Sequence, residues 1–135
     1  MSHRGLTDRF PENTESSFLD AIEKGFKAIE LDVVLSNDNE LVCSHNFDLD
    51  TETEAEGLFK DKELKDLVKI NTGMNSGVHK KQKLTALKEV FLNLPKDIFL
   101  NIEIKSEYLF ELKAVKVLNS YRKEGLIRQK YIVST

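Results

Sequence analysis

The most apolar stretch of the chain, Ala28-Ile29-Glu30-Leu31-Asp32-Val33-Val34-Leu35, carries two acidic residues in its interior. It is rich in β-branched and aliphatic residues and ends at Ser36-Asn37-Asp38-Asn39, so it reads as a strand and a turn. A strand's period of two places Glu30 and Asp32 on one face and Ile29, Leu31 and Val33 on the other. Phe99-Leu100-Asn101-Ile102-Glu103-Ile104-Lys105 repeats the arrangement, with Glu103 and Lys105 opposite Ile102 and Ile104. Burying carboxylates costs several kcal/mol unless a counter-charge or a metal compensates. Three of them converging at strand ends call for a cation, and an all-oxygen set favours Mg²⁺ or Ca²⁺ over zinc. The solvated outer face of an antiparallel sheet would show the same alternation, so the pattern alone leaves both open.

The rest of the chain alternates in type. Glu15 to Lys24 reads as a helix, with Asn13 or Thr14 as its cap, Phe18, Ala21 and Ile22 as its apolar stripe, and Gly25 past its end. A second strand, Leu41 to His45, follows the first at once. From Asn46 to Lys83 the periodicity loosens, apart from a short helix around Lys62 to Val68; such a segment is usually functional or mobile. Thr85 then caps a helix carrying Leu87, Val90, Phe91 and Leu94. The helix after the Glu103 strand turns Leu112, Val115, Leu118 and Tyr121 inward and ends at Gly125, before a final strand from Tyr131. Outside the strand pair at 28–45, helices alternate with strands, which argues for an α/β fold with parallel strands, either an open sheet or a closed barrel.

The histidines fit this picture. His45 closes a strand, the position at which loops of parallel folds carry chemistry. His3 precedes Arg4 and Gly5, which places a titratable imidazole, a planar cation suited to phosphate oxygens and a flexible backbone point side by side. With a metal, this set suits phosphoryl chemistry. His79, in the basic stretch Gly77 to Lys81, reads as a surface residue. The net charge of −3 on 135 residues gives no basic field for nucleic acid, and no apolar run approaches the roughly 20 residues a bilayer needs. No signal segment opens the chain, so a cytoplasmic protein is expected. The single cysteine, Cys43, excludes an internal disulfide and reads as a buried strand residue.

In order along the chain, His3-Arg4-Gly5, Pro11-Glu12-Asn13-Thr14, Ile29-Glu30-Leu31-Asp32-Val33, Leu41-Val42-Cys43-Ser44-His45 and Asn101-Ile102-Glu103-Ile104-Lys105 resemble the glycerophosphodiester phosphodiesterase family. The segment Leu84 to Val90 is similar to the stretch that leads into that family's last motif. The resemblance implies a (β/α)₈ TIM barrel, of which residues 1–135 would be a partial domain with about the first five strands. The segment 48–83 would be an insertion between the third and fourth strands. It also implies metal-dependent hydrolysis of glycerophosphodiesters to glycerol 3-phosphate and an alcohol. Carried over by motif, Glu30, Asp32 and Glu103 would hold the divalent cation, Mg or Ca, and His3 and His45 would form the acid/base pair. Arg4 and Lys105 would bind phosphate, and Glu12 would line the site.

The chain departs from the family at Asn46, where the pattern has Asp after the histidine, and it stops where a fifth strand would end. An open half-barrel exposes strand edges. A fragment of a longer protein is therefore expected, ahead of a truncated non-catalytic remnant that binds phosphodiesters or a partner protein, or two copies associating through those edges. A related head-group phosphodiesterase of the sphingomyelinase D type is the other enzymatic reading; Pro11-Glu12-Asn13-Thr14 and the long insertion argue against it.

Overall fold

Strand β2 (Ala28–Leu35) is the centre of the molecule. The computed structural model describes residues 1–74, 77, 82–105 and 108–135, and His79 lies outside them. Parallel strands flank β2 on both sides: β1 (Ser2–His3) and β6 (Phe99–Ile104), the latter paired in turn with β7 (Tyr131–Ser134). The registers set His3 level with Glu30 and Asp32 level with Glu103. Strand β3 (Leu41–Cys43) returns antiparallel along the far end of β2, so that Val33 faces Cys43. The fold is thus α/β with a parallel sheet, one antiparallel hairpin excepted.

Helix α1 (Glu15–Glu23) starts at Thr14, whose hydroxyl accepts from the Ser17 amide while the Ser17 hydroxyl accepts from the Thr14 amide, a reciprocal cap. Helices α1, α3 (Leu87–Asn93) and α4 (Tyr108–Lys123) cover one face of the sheet. There Phe18, Leu87, Val90, Phe91, Leu118 and Tyr121 pack on Ile29, Leu31, Leu100 and Ile102, all buried. Each fully buried Leu, Ile or Phe contributes about 1.5–3 kcal/mol, so this layer holds β2 and β6 at fixed spacing. The opposite face carries Glu30, Asp32 and Glu103.

Three local expectations change. On α4 the inward stripe is Ala114, Leu118 and Tyr121, whereas Leu112 and Val115 point outward, 59% and 43% exposed. Thr85 does not cap α3; Ala86 holds that position, and the Thr85 hydroxyl accepts from the Glu15 amide instead. The segment 48–83 has its own structure. It contains a 3₁₀ turn (Phe59–Asp61), helix α2 (Leu64–Leu67) and the short pair β4 (Asn71–Thr72) and β5 (Gln82–Lys83). Leu49, Phe59, Leu64 and Leu67 bury against Val34 and Val42 in a second core, so hydrophobic burial orders a stretch that shows no periodicity. Among the described residues no helix is long and apolar enough to cross a membrane.

Candidate functional site

The site forms where β1 and β6 end, level with the middle of β2, and where β3 returns. After β1 the backbone turns sharply. Arg4 takes a left-handed conformation (φ 60°), unusual for a side chain with a Cβ, and Gly5 follows at φ 83°. The turn is held by the Arg4 amide donating to the Glu30 carbonyl at 2.7 Å and by the Arg4 carbonyl accepting from the Asn13 amide at 2.9 Å. Gly5 is required twice over, by its φ and because a Cβ there would overlap the Ser17 side chain.

This turn aims Arg4 into the carboxylates. Its Nε lies 2.9 Å from Asp32 Oδ2, Nη1 donates to Glu12 Oε2 at 3.1 Å, and Nη2 lies 3.4 Å from His45 Nε2. The Nε contact is a close ion pair, not a directed hydrogen bond. His45 reaches this point by an unexpected route. Its strand is antiparallel, and the hairpin folds it back so that the Ser44 amide donates to the Asp32 carbonyl at 3.0 Å. His45 Nδ1 then lies 3.4 Å from Asp32 Oδ2. Arginine only donates, so its contact with Nε2 corresponds to an imidazole with a lone pair on that nitrogen.

His3 stands on the other flank, more than half exposed, with Nε2 3.2 Å from Glu30 Oε1. Lys105 donates to Glu103 Oε1 at 2.9 Å, and this bond holds the Glu103 carboxyl below the usual carboxylate range despite partial burial. All eight residues expected from the sequence therefore lie in one neighbourhood: Arg4, Glu12, Asp32 and His45 in one contact network, with His3–Glu30 and Glu103–Lys105 as pairs beside it.

The donor set fits a hard divalent cation. Glu30, Asp32 and Glu103 each offer an oxygen, and these atoms lie within 4.8 Å of one another. Asp32 is fully buried, yet its Oδ1 has no hydrogen-bond partner among the described residues. A buried carboxylate oxygen without a donor is costly, and a cation would satisfy it.

Two further residues belong here to which the sequence assigns no role in the site. Asn13, expected as a helix cap within Pro11-Glu12-Asn13-Thr14, is buried and binds Asp32 through both ends of its amide. Glu52 lines a cleft with Glu12, His45, Asn46 and Asp48, and burial, reinforced by Glu12 and Asp48, pushes its carboxyl pKa upward. The left-handed backbone of Asn13 (φ 56°) in Pro11-Glu12-Asn13-Thr14 is a signal that asparagine tolerates better than most residues; nothing in the pattern marks Glu52.

The model of the glycerophosphoryl diester phosphodiesterase family matches residues 3–135. The chain belongs to that family. It is 38% identical over 130 residues to a glycerophosphodiester phosphodiesterase of Caldanaerobacter subterraneus subsp. tengcongensis, covering 92% of this chain and 54% of the relative. Among solved structures it is similar to a glycerophosphodiester phosphodiesterase from Thermotoga maritima, with 33% identity and a TM-score of 0.77. That match covers 98% of this chain and 51% of that one. A phosphodiesterase from Oleispira antarctica, solved in complex with the product sn-glycerol-3-phosphate, matches at 27% identity and a TM-score of 0.83, over 98% of this chain and 54% of that one. The chain spans about half the length of the family members it matches.

Proposed function

We propose that this chain carries the cation-binding and acid/base part of a glycerophosphodiester phosphodiesterase, which releases glycerol 3-phosphate and an alcohol. The observation that supports it most is Asp32: buried, with one carboxylate oxygen lacking a donor among the described residues, and adjoined by Glu30, Glu103, Arg4 and His45. Glu30, Asp32 and Glu103 would hold Mg²⁺ or Ca²⁺. When bound, the cation would neutralise charge that builds on the phosphate.

The chain's own residues then have distinct tasks. Arg4 exchanges Glu12 and His45 for phosphate oxygens, a planar fork for a tetrahedral anion, and Lys105 adds a second cation. Once Arg4 turns to phosphate, the lone pair on His45 Nε2 is free to accept a proton from the nucleophile, either water or the substrate's glycerol hydroxyl. The Nδ1 side of His45 faces Asp32, which stabilises the imidazolium that forms. His3, accessible and beside Glu30, returns a proton to the departing alkoxide. Glu12 and the segment 48–83 flank the site, the latter read as an insertion beside the mouth of a (β/α)₈ barrel to which β1, β2, β6 and β7 contribute parallel strands.

The test is glycerol 3-phosphate release from glycerophosphodiesters with Mg²⁺ or Ca²⁺ and with a chelator, on the wild-type chain and on Glu30→Ala and His45→Ala. Release that survives both substitutions and the chelator unchanged sinks the mechanism. A second reading, a non-catalytic phosphodiester-binding remnant, is favoured by Asn46, which stands where the family pattern has a carboxylate. Cation-dependent phosphate binding without any release would select it.

A further inference from the structure

A second cavity, of about 200 Å³, opens on the Lys105 side of the site. Its floor is Val34, the next residue after Asp32 on the same face of β2 and therefore about 7 Å further along the strand. Phe47, Leu58 and the edge of Phe59 form its walls. They are positioned by an antiparallel bridge between Asp48 and Leu58 and by the Phe59 amide donating to the Phe47 carbonyl at 3.0 Å. Phe47 and Leu58 are 47% and 36% exposed, large apolar groups turned to solvent beside a polar centre. The polar side chains at the rim are Lys60 and Lys105, and Lys105 is the same residue that pairs with Glu103.

We propose that this cavity receives the alcohol substituent of the phosphodiester and that it selects apolar substituents without positive charge. The inference rests on the phosphodiesterase reading and names its substrate class. Lys105 forms the shared wall: a phosphate held beside Glu103 presents one ester oxygen toward Val34, and the group attached to that oxygen enters between Phe47 and Leu58. The volume suits a group the size of a short alkyl chain or a phenyl ring. The Lys60 ammonium at the rim opposes a choline or ethanolamine head group by like-charge repulsion, whereas the charge of Lys105 is offset by Glu103. Phe59 is buried, which leaves Phe47 as the one accessible aromatic wall among the described residues, and one ring makes no cage for a quaternary amine. Neutral apolar or anionic substituents meet no such penalty.

The test separates binding from turnover. The full chain with Mg²⁺ is titrated with phenyl phosphate and with methyl phosphate, and affinity is read from chemical-shift changes. Phenyl phosphate should bind about tenfold more tightly, through the apolar area the ring buries. Phe47→Ala and Leu58→Ala, both at partly exposed positions, should abolish that ratio and leave methyl phosphate binding unchanged. Lys60→Glu should improve binding of phosphocholine relative to methyl phosphate. Equal affinities in the wild type, or a ratio untouched by Phe47→Ala and Leu58→Ala, overturn the inference, as does binding of neither phosphate. Glycerol 3-phosphate release together with equal affinities for the two esters would leave the phosphodiesterase reading intact and remove this one. A tenfold preference that Phe47→Ala and Leu58→Ala abolish, without any release, would keep the cavity's preference for apolar phosphate esters and remove the phosphodiesterase reading.

Discussion

Asn13 grips Asp32 with both ends of its amide: Nδ2 donates to Asp32 Oδ2 at 3.1 Å, and Oδ1 accepts from the Asp32 backbone N–H at 3.1 Å. The loop that precedes α1 is thereby fastened to the strand carrying the carboxylates, and the Asp32 side chain is oriented before any ligand arrives. Asn13→Ala removes both bonds, leaves a buried N–H unpaired and places alanine at a left-handed φ. A loss of about 3 kcal/mol is expected, measurable by chemical denaturation. Divalent-cation affinity, measured by titration calorimetry on the folded variant, should fall by about 10-fold or more, as for other groups that orient ligands.

The turn after His3 makes a second, graded prediction. Gly5 and Gly25 both have positive φ, 83° and 98°, but a Cβ at Gly25 meets nothing within 4 Å while one at Gly5 runs into Ser17. Gly25→Ala should cost about 1–2 kcal/mol, the left-handed penalty alone. Gly5→Ala should cost clearly more, because Ser17 belongs to the reciprocal cap of α1 and cannot withdraw. Thermal melting of the two variants ranks them; equal melting points would contradict the packing at Gly5.

Acid stability should depend on Asp20. This carboxylate is buried and paired with Arg9, and more weakly with Lys24 at 3.4 Å; the bond to Arg9 lowers its pKa from the ordinary value. A folded-state pKa below the unfolded one gives stability that is complete above the ordinary carboxylate pKa of about 3.9 and lost as pH falls through the folded value. Asp20→Asn should therefore be less stable than wild type near neutrality, with the difference shrinking below pH 4. Urea melts across pH 2.5 to 7 report both slopes.

How much of this was legible in the sequence depends on which physical signal carried it. Glu30, Asp32 and Glu103 were readable because a strand's alternation is rigid: two residues apart means one face, whatever the fold. His3 and Arg4 were readable as adjacent chemistry. The approach of His45 was not, because an antiparallel return and a parallel crossover leave the same short apolar strand in the chain. The second core was hidden because Leu49, Phe59, Leu64 and Leu67 share no period and are brought together only by Val34 and Val42. On α4, Leu112 and Val115 form a plausible stripe with Leu118, and only packing shows that the small Ala114 side chain is the one turned inward.

Cys43 offers an inexpensive check on the hairpin. Its thiol is buried beneath α3 and near Asp32, and burial pushes its pKa well up. Folded protein should resist a thiol-reactive disulfide reagent at pH 8 and react only as fast as it opens, whereas denatured protein should react at once. Rapid labelling of the native chain would mean that β3 does not sit where it is described.

The hairpin's tip has a consequence for how such a site can vary. Residues 36–40 join β2 to β3, and their number sets how far the chain travels before it comes back to Asp32. One residue more or fewer would carry His45 past its partner or turn it to the helix-covered side, where an imidazole has nothing to serve. The five residues at the tip work as a ruler, and a ruler cannot change length without misplacing what it measures.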